Sequence, residues 1–420
     1  MLKQGYQAGA IWRPFADDSL KAHYLIDYVT CFFDAGLACP YIVTLSTTVP
    51  LSKYGAPELQ NLFLDQLLRR DGTNWQGATW MTEAKGGSDL GATVETSARN
   101  EGDRWILNGD KYFASNAGAE VAIVAARPEG APQTPRGLAL FLVPRRRADG
   151  RLNYFIRLLK NKIGTRSVPT GEVELCDSEA YPLGTQASGL QQPGRPRTES
   201  GIYLILESLN LSRVGNIAGS VALAQRALFD ALSFSHKRVA FGKPIVEHPL
   251  LRQQFRERYE QLIQARALMG RAIELLDEVW KEKPPYSDRY HTFRLVAHLA
   301  KYWTAELAVQ FAKWNMEVHA GAGVVAEHRA ERWLRDAMIL PIWEGTPHRQ
   351  MLDALEVMER KGAHHSLLEL LAPHADAREL KEMSDRIEAH LALPTEEREA
   401  LIEKLFTDLA AFTARSLAKE

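Results

Sequence analysis

Cysteine is nearly absent from this 420-residue chain: Cys31, Cys39 and Cys176 are odd in number, widely spaced and without a CxxC pair. That excludes a disulfide framework and a thiolate metal site, and it makes a reducing cytoplasm the default expectation. Net charge is nearly absent too, at −1, which leaves no bulk attraction for nucleic acid or an anionic membrane. Met1-Leu2-Lys3-Gln4-Gly5 runs into polar sequence, so no signal peptide is expected. No apolar run approaches the roughly 20 residues that cross a bilayer, so no span is expected either. What is there is ordinary for a globular protein: 45% hydrophobic and 25% charged residues, over a length that suits two or three domains.

The hydrophobic period divides the chain into an α+β arrangement. Residues 1–75 read as an N-terminal helical domain, with Leu62, Phe63, Leu67 and Leu68 roughly on one helix face. Residues 76–184 switch to period two. Runs such as Trp105-Ile106-Leu107, Val121–Ala125, Leu138–Val143 and Glu172–Leu175, separated by Gly, Pro, Asn and Asp, predict a small antiparallel β-domain. Arg145-Arg146-Arg147 after one strand reads as a solvated charge run. Residues 185–200, rich in Pro, Gly and Gln, read as a loop. Residues 201–360 carry long three-and-four spacings, Leu251 to Val279 and Val296 to Val318, broken at Lys283-Pro284-Pro285, and predict an antiparallel helix bundle. Residues 361–420 read as a helical extension holding 8 Lys and Arg against 12 Asp and Glu, a balance of −4.

Four segments carry candidate chemistry. Ile342-Trp343-Glu344-Gly345-Thr346 sets one carboxylate among apolar neighbours, which strip water from it and raise its pKa toward that of a usable general base. Trp80-Met81-Thr82-Glu83 runs into Gly86-Gly87-Ser88-Asp89, where glycine lets backbone amides approach a flat, acceptor-rich ring or a phosphate. Asn108-Gly109 is a tight-turn signal between strands, and Tyr112, Phe113 and Ser115 after it offer aromatic rings close to a hydroxyl. Arg238-Val239-Ala240-Phe241-Gly242-Lys243 closes a helical stretch with an arginine suited to a diphosphate. Each has a blander use, as a helix start, a hairpin loop, an amphipathic strand or a dipole-paired arginine.

Together and in this order the segments resemble the acyl-CoA dehydrogenase family, from about Tyr54 to about Met358. The family's first signature matches at Met81-Thr82-Glu83, Gly87-Ser88-Asp89 and Ala92, with Trp80 where a small residue is usual. The second matches at Glu317, Gly321, Gly323, Val324, Glu327, Arg332 and Asp336, with Ala320 replacing the first glycine of its pair. Within the family the likeness is nearest to the AidB-type, alkylation-response branch, through Ala35–Pro40, Lys160–Ser167, Gly171–Glu174 and Ile342–Gly345.

The resemblance implies a helical domain, shorter here than usual, then a β-domain and a helix bundle. It implies FAD as cofactor, because abstraction of an α-proton from an acyl-CoA thioester must be matched by a hydride acceptor that no side chain provides. It assigns the base to Glu344; the alternative position used by some members is Ser212 here, which is no base for a carbon acid. By the same likeness Met81 and Thr82 line the flavin's pyrimidine side, Phe113 packs on the ring and Ser115 reaches its redox-active nitrogen, with Trp343, Thr346 and His348 completing the contacts. Ser88, Asn210, Arg213 and Gly345 are implied acyl-CoA ligands, Ser88 also touching the cofactor site. Arg238, Phe241, Glu317 and Gly321 are implied ligands of the FAD diphosphate and adenine across a subunit interface. Ala240, Glu317 and His348 depart from the residues common there. The implied partners are an electron-transfer flavoprotein and further copies of the chain, as a homodimer or homotetramer. An AidB-like DNA-binding flavoprotein with weak dehydrogenase activity is the alternative. The −4 tail and Glu356, where that branch carries an arginine, weigh against DNA as a partner. An oxidase discharging to oxygen is a third reading.

Overall fold

Five helices precede the first strand: α1 (Leu2–Gln7), α2 (Trp12–Ala16), α3 (Lys21–Phe33), α4 (Ala35–Tyr54) and α5 (Pro57–Leu67). They belong to a computed structural model that describes residues 1–102, 104–184 and 201–419. Asp34 starts α4, its carboxylate accepting the Gly36 and Leu37 amides at 3.0 and 3.1 Å. The helix is buried on nearly its whole circumference. Its hydroxyls survive burial by returning to the preceding turn, Thr44 to the Pro40 carbonyl at 2.6 Å and Thr48 to that of Thr44 at 2.7 Å. One expectation is corrected here. Ala35–Tyr54, with a mean hydropathy of 1.2, is long and apolar enough to cross a membrane by length and composition, but 89% of that window is buried inside the protein. In α5 the buried positions are Leu59, Phe63 and Leu67, while Leu62 is exposed, off the face it was expected to share.

The β-domain comprises β1 (Gly77–Trp80), β2 (Ser97–Asn100), β3 (Trp105–Ser115), β4 (Val121–Pro128), β5 (Ala139–Pro144), β6 (Phe155–Leu159) and β7 (Thr170–Leu183), with a short α6 (Leu90–Thr93) between β1 and β2. Pairings β4–β2–β3–β7–β5 return to β4, so they form a closed circuit flanked by β1 and β6. Most pairs are antiparallel as expected, but β1 and β2 both run parallel to β4. Alternation sorts the side chains. Ala122, Val124 and Ala126 join Trp80, Trp105 and Phe141 in one core, while Val121, Ile123 and Ala125 join α4 and α5 residues such as Leu51 and Phe63 in another. Trp80, the departure from the first signature, is fully buried, donates its indole N–H to the Ser115 carbonyl at 3.1 Å and meets the Tyr154 ring edge-on. Asn108-Gly109 makes no turn. It lies inside β3 at a register shift, Gly109 has φ 153°, and a Cβ there would sit 2.7 Å from Thr96 Cα.

The bundle is built from α7 (Gly201–Lys237), α8 (Pro249–Val279), α9 (Asp288–His319), α10 (Ala330–Ala337) and α11 (Pro347–Lys361), with a small hairpin of β8 (Val239–Ala240) and β9 (Lys243–Pro244) after α7. The buried residues of α8, Leu262, Ala265, Leu268, Ala272, Leu275, Leu276 and Val279, keep the helical spacing. Beyond them α12 (Ala363–Leu371), α13 (Ala377–Leu391) and α14 (Thr395–Leu417) form no separate appendage: Leu367, Ile387, Phe406 and Leu409 belong to the same core as Phe293 and Met358. The expected loop at 185–200 lies outside the described residues.

Candidate active site

Between α10 and α11 the chain makes a turn in which Glu344 (φ 58°) and Gly345 (φ 103°) are both left-handed. For glutamate that conformation is strained and persists only where the surroundings impose it. Here the turn's carbonyls are gripped from three helices. Asn216 on α7 donates to Leu340 at 2.9 Å, and Arg213 Nε, also on α7, donates to the Glu344 carbonyl at 3.2 Å. Lys301 on α9 donates to Pro341 and Gly345 at 2.7 and 2.5 Å. Gln350 on α11 donates to Glu344 and Gly345 at 3.1 and 3.0 Å and is itself held by His298 at 2.9 Å. A Cβ on Gly345 would lie 2.5 Å from Gln350 Nε2, so glycine is required by close approach as well as by φ.

The carboxylate so placed is unusual. Glu344 Oε2 is buried with no hydrogen-bond partner, and the Glu344 backbone N–H donates to no acceptor among the described residues. Burial pushes the Glu344 pKa up to about 7, against the opposing pull of the Arg213 and Lys301 cations. Burial and Arg213 push Lys301 down to about 7, opposed by Glu344. Ser212, the alternative base position, is engaged by Ser46 Oγ at 2.9 Å.

Trp343 packs against Cys39, Val43 and Val168, joining the turn to α4 and to the segment before β7. That segment is clamped to α10. A Cβ on Gly164 would meet the Arg335 carbonyl at 2.1 Å, and the Thr165 amide donates to Asp336 at 2.6 Å. Arg332 reaches Asp34 at 2.5 Å, so two residues of the second signature tie the N-terminal helices, β-domain and bundle together at one corner. Across the β-domain, Met81 is buried and Thr82 half-buried, and a Cβ on Gly87 would sit 2.4 Å from Thr82 Oγ1. A register shift between Lys111 and Ala114 turns both Tyr112 and Phe113 outward, Phe113 at 51% exposure. Ser115 Oγ bonds Thr170 Oγ1 at 3.1 Å. The face is aromatic, its two rings meeting edge-on with Lys160 over Tyr112, and hydroxyls stand at its rim, residue types that suit a flavin ring. Two acidic residues of the first signature serve the fold instead: Glu83 accepts Lys111 and Thr96 side chains, each at 2.6 Å, and Asp89 caps α6.

The expected substrate ligands divide. Ser88 is exposed, whereas Asn210 and Arg213 are buried and bonded to each other at 2.9 Å, with Arg213 also 3.3 Å from Asp353 and Asn210 3.2 Å from the Tyr290 hydroxyl. Thr346 precedes α11 half-buried, and His348 is exposed. Arg238, Phe241, Glu317 and Gly321 are not brought to the Glu344 turn. They follow or flank the ends of α7 and α9, which meet where Phe234 stacks on His319 at 4.2 Å. All four are exposed, Phe241 at 95%, and the Arg238 guanidinium pairs with nothing among the described residues. Lys301, Gln350 and Asn216 were missed from sequence. The available signal was a lysine in the otherwise uncharged buried stripe Ala297, Lys301, Thr304, Ala308 of α9.

The site thus offers a strained turn with a buried, unpartnered carboxylate oxygen and, on the β-domain, an aromatic face with hydroxyls at its rim. Comparison with known proteins gives the chain its family. The model of the acyl-CoA dehydrogenase middle domain matches residues 78–178, and that of the C-terminal domain matches residues 199–358. Human mitochondrial short-chain specific acyl-CoA dehydrogenase is 31% identical over 304 residues, 72% of this chain and 67% of that protein. The putative acyl-CoA dehydrogenase AidB of Escherichia coli is 30% identical over 348 residues, 80% of this chain and 60% of AidB. The solved structure of Caenorhabditis elegans ACDH-11 in complex with C11-CoA superimposes with a TM-score of 0.81 at 26% identity, covering 99% of this chain and 75% of the other. The chain belongs to the acyl-CoA dehydrogenase family. It spans little more than half the length of several curated relatives, from 53% to 60%.

Proposed function

We propose that the chain is an FAD-dependent acyl-CoA dehydrogenase that converts an acyl-CoA thioester into its 2-enoyl-CoA, with Glu344 as the base. The observation that carries this reading is the buried, unpartnered Glu344 Oε2 with its pKa near neutrality. Such a carboxylate is ionised often enough at neutral pH to act and basic enough to take an α-proton. The free Glu344 N–H is available to the thioester oxygen, and a donor of that kind typically lowers the barrier by about 3–4 kcal/mol. Bound FAD supplies the two-electron acceptor for the β-hydride. Met81, Thr82, Phe113 and Ser115 hold and orient the ring, with Trp343, Thr346 and His348 at its margin. Trp343, Cys39 and Val43 keep water from the base. Ser88, Asn210, Arg213 and Gly345 position the acyl-CoA, the two buried ones through the turn they brace.

The proposal extends to the assembly. Arg238, Phe241, Glu317 and Gly321 take the diphosphate and adenine of an FAD shared with a second copy, in a homodimer or homotetramer. An unpaired guanidinium beside exposed Phe241, Val239 and Val324 supports that reading. Electrons pass on to an electron-transfer flavoprotein, and the location is cytoplasmic, in keeping with three free cysteines. Anaerobic titration with a panel of acyl-CoA thioesters tests the core claim: the flavin band bleaches with at least one. Protein that stays colourless after reconstitution with FAD overturns it.

The likeness to AidB supports a second reading, a flavoprotein that binds DNA and turns over acyl-CoA poorly. Against it stand the −4 balance of residues 361–420, their packing into the main core, and Glu356, which faces Arg294 at 4.0 Å and Arg360 at 3.5 Å.

A further inference from the structure

At the rim of the aromatic face three polar side chains form a directed chain. Ser115, the last residue of β3, and Thr170, the first of β7, are a cross-strand pair with their hydroxyl oxygens 3.1 Å apart. Lys162 donates to Thr170 Oγ1 at 3.0 Å and to the Val168 carbonyl at 3.0 Å. An ammonium group has donors and no acceptor, so Thr170 accepts from Lys162. Thr170 is buried and its hydroxyl has no other acceptor among the described residues, whereas Ser115 is only half-buried, so the pair is best satisfied with the Thr170 hydrogen going to Ser115. Ser115 is left with its own hydrogen and no acceptor for it among the described residues, so it is a donor to whatever lies on the face.

Lys162 is a costly residue to keep there. It is half-buried, and among the described residues its partners are the neutral oxygens of Thr170 and Val168, not a carboxylate. Burial lowers its pKa, while Cys39 and Asp336 hold it up. Fixing the direction of a hydroxyl pair needs no charge; an asparagine side chain would do as much. A lysine adds a positive charge two hydrogen bonds from the point where Ser115 presents its hydrogen.

We infer that Lys162 is a positioning residue for the flavin, fixing Ser115 as a donor to the oxidised ring through Thr170 and favouring the reduced ring with its charge. This rests on the proposed function above. Reduction brings electron density onto the ring, so a nearby cation raises the potential, and the hydroxyl relay carries its polarisation to the ring edge.

The test is the reduction potential of the FAD-loaded protein, equilibrated anaerobically with a reference dye, which requires no turnover. Lys162→Met is expected to shift the oxidised-to-reduced ratio about tenfold toward oxidised, ~30 mV for a two-electron couple. Thr170→Val, which keeps the charge and cuts the relay, and Ser115→Ala, at the half-buried end of the chain, are expected to move it the same way by a smaller factor. Lys162→Arg is expected to stay within about twofold. A Lys162→Met potential within twofold of the unmutated protein overturns the inference. So does an unmoved potential in both Thr170→Val and Ser115→Ala while Lys162→Met shifts, because the charge then acts through space alone. Unmutated protein that takes up no FAD fails the functional reading itself, whereas yellow protein with unmoved potentials fails only this one.

Discussion

The Glu344 turn and the Arg238 corner differ in completeness. At the turn every strained element is held by partners from the same chain: Asn216, Arg213, Lys301 and Gln350 occupy its carbonyls, and Glu344 Oε2 is buried. At the corner the arginine has no partner among the described residues, Phe241 is 95% exposed and its apolar neighbours Val239 and Val324 are exposed too. The Glu344 turn is held by one chain alone. On the proposed reading the corner becomes a site only against a second copy.

Four measurements sharpen or break that contrast. Glu344→Gln is expected to abolish flavin reduction by an acyl-CoA that reduces the unmutated protein. The loss should be on the order of 10²–10⁴ or more in anaerobic stopped-flow, with FAD content unchanged. A similar bleaching rate would move the base elsewhere. Arg238→Ala acts on the open corner, and it should weaken FAD retention by roughly tenfold to a hundredfold in reconstitution titrations, about 1.5–3 kcal/mol of charge-assisted bonding. Unchanged affinity would show that the corner holds no diphosphate.

Lys301→Met should slow flavin reduction by about tenfold while FAD stays bound, because two carbonyls of the turn lose their donor. The pH profile distinguishes this from a general loss of packing. Lys301 favours the ionised form of Glu344, so its removal should move the acid limb, near pH 7 in the unmutated protein, to higher pH. The smallest effect is on stability. The folded pKa of Glu344, about 7, lies above its ordinary 4.5, so the folded state holds the proton more tightly. Stability from this group is therefore fully present below about pH 4.5 and is lost as pH rises to about 7. Glu344→Gln lacks that loss. Its melting temperature relative to the unmutated protein should rise across that interval and level off on either side; a constant difference would refute the buried-carboxylate account.

The features readable from sequence were those written in adjacent residues. Ile342–Thr346 announced a carboxylate among apolar neighbours, period two announced the β-domain, and the α8 and α9 spacings announced the bundle. What escaped depends on residues far apart in the chain. Lys301 matters because it meets carbonyls 40 and 44 residues away, and nothing local marks it beyond its place in a buried stripe. Asn108-Gly109 carries a hairpin signal, but the close approach of Thr96 makes it a bulge within one strand. Trp80 looked like a mismatch to the family pattern and turned out to fill the interior of the β-domain.

Helix α4 has a consequence for synthesis. It is apolar around its circumference and covered by α3, α5, β1 and α7, yet α7 begins about 150 residues after α4 ends. At about 5–20 residues per second that interval lasts roughly 7–30 s on the ribosome. For that time a 20-residue segment with the hydropathy of a membrane span lacks one of its walls. The interval before α7 is made is therefore the stage at which exposed apolar surface leaves the growing chain most open to aggregation.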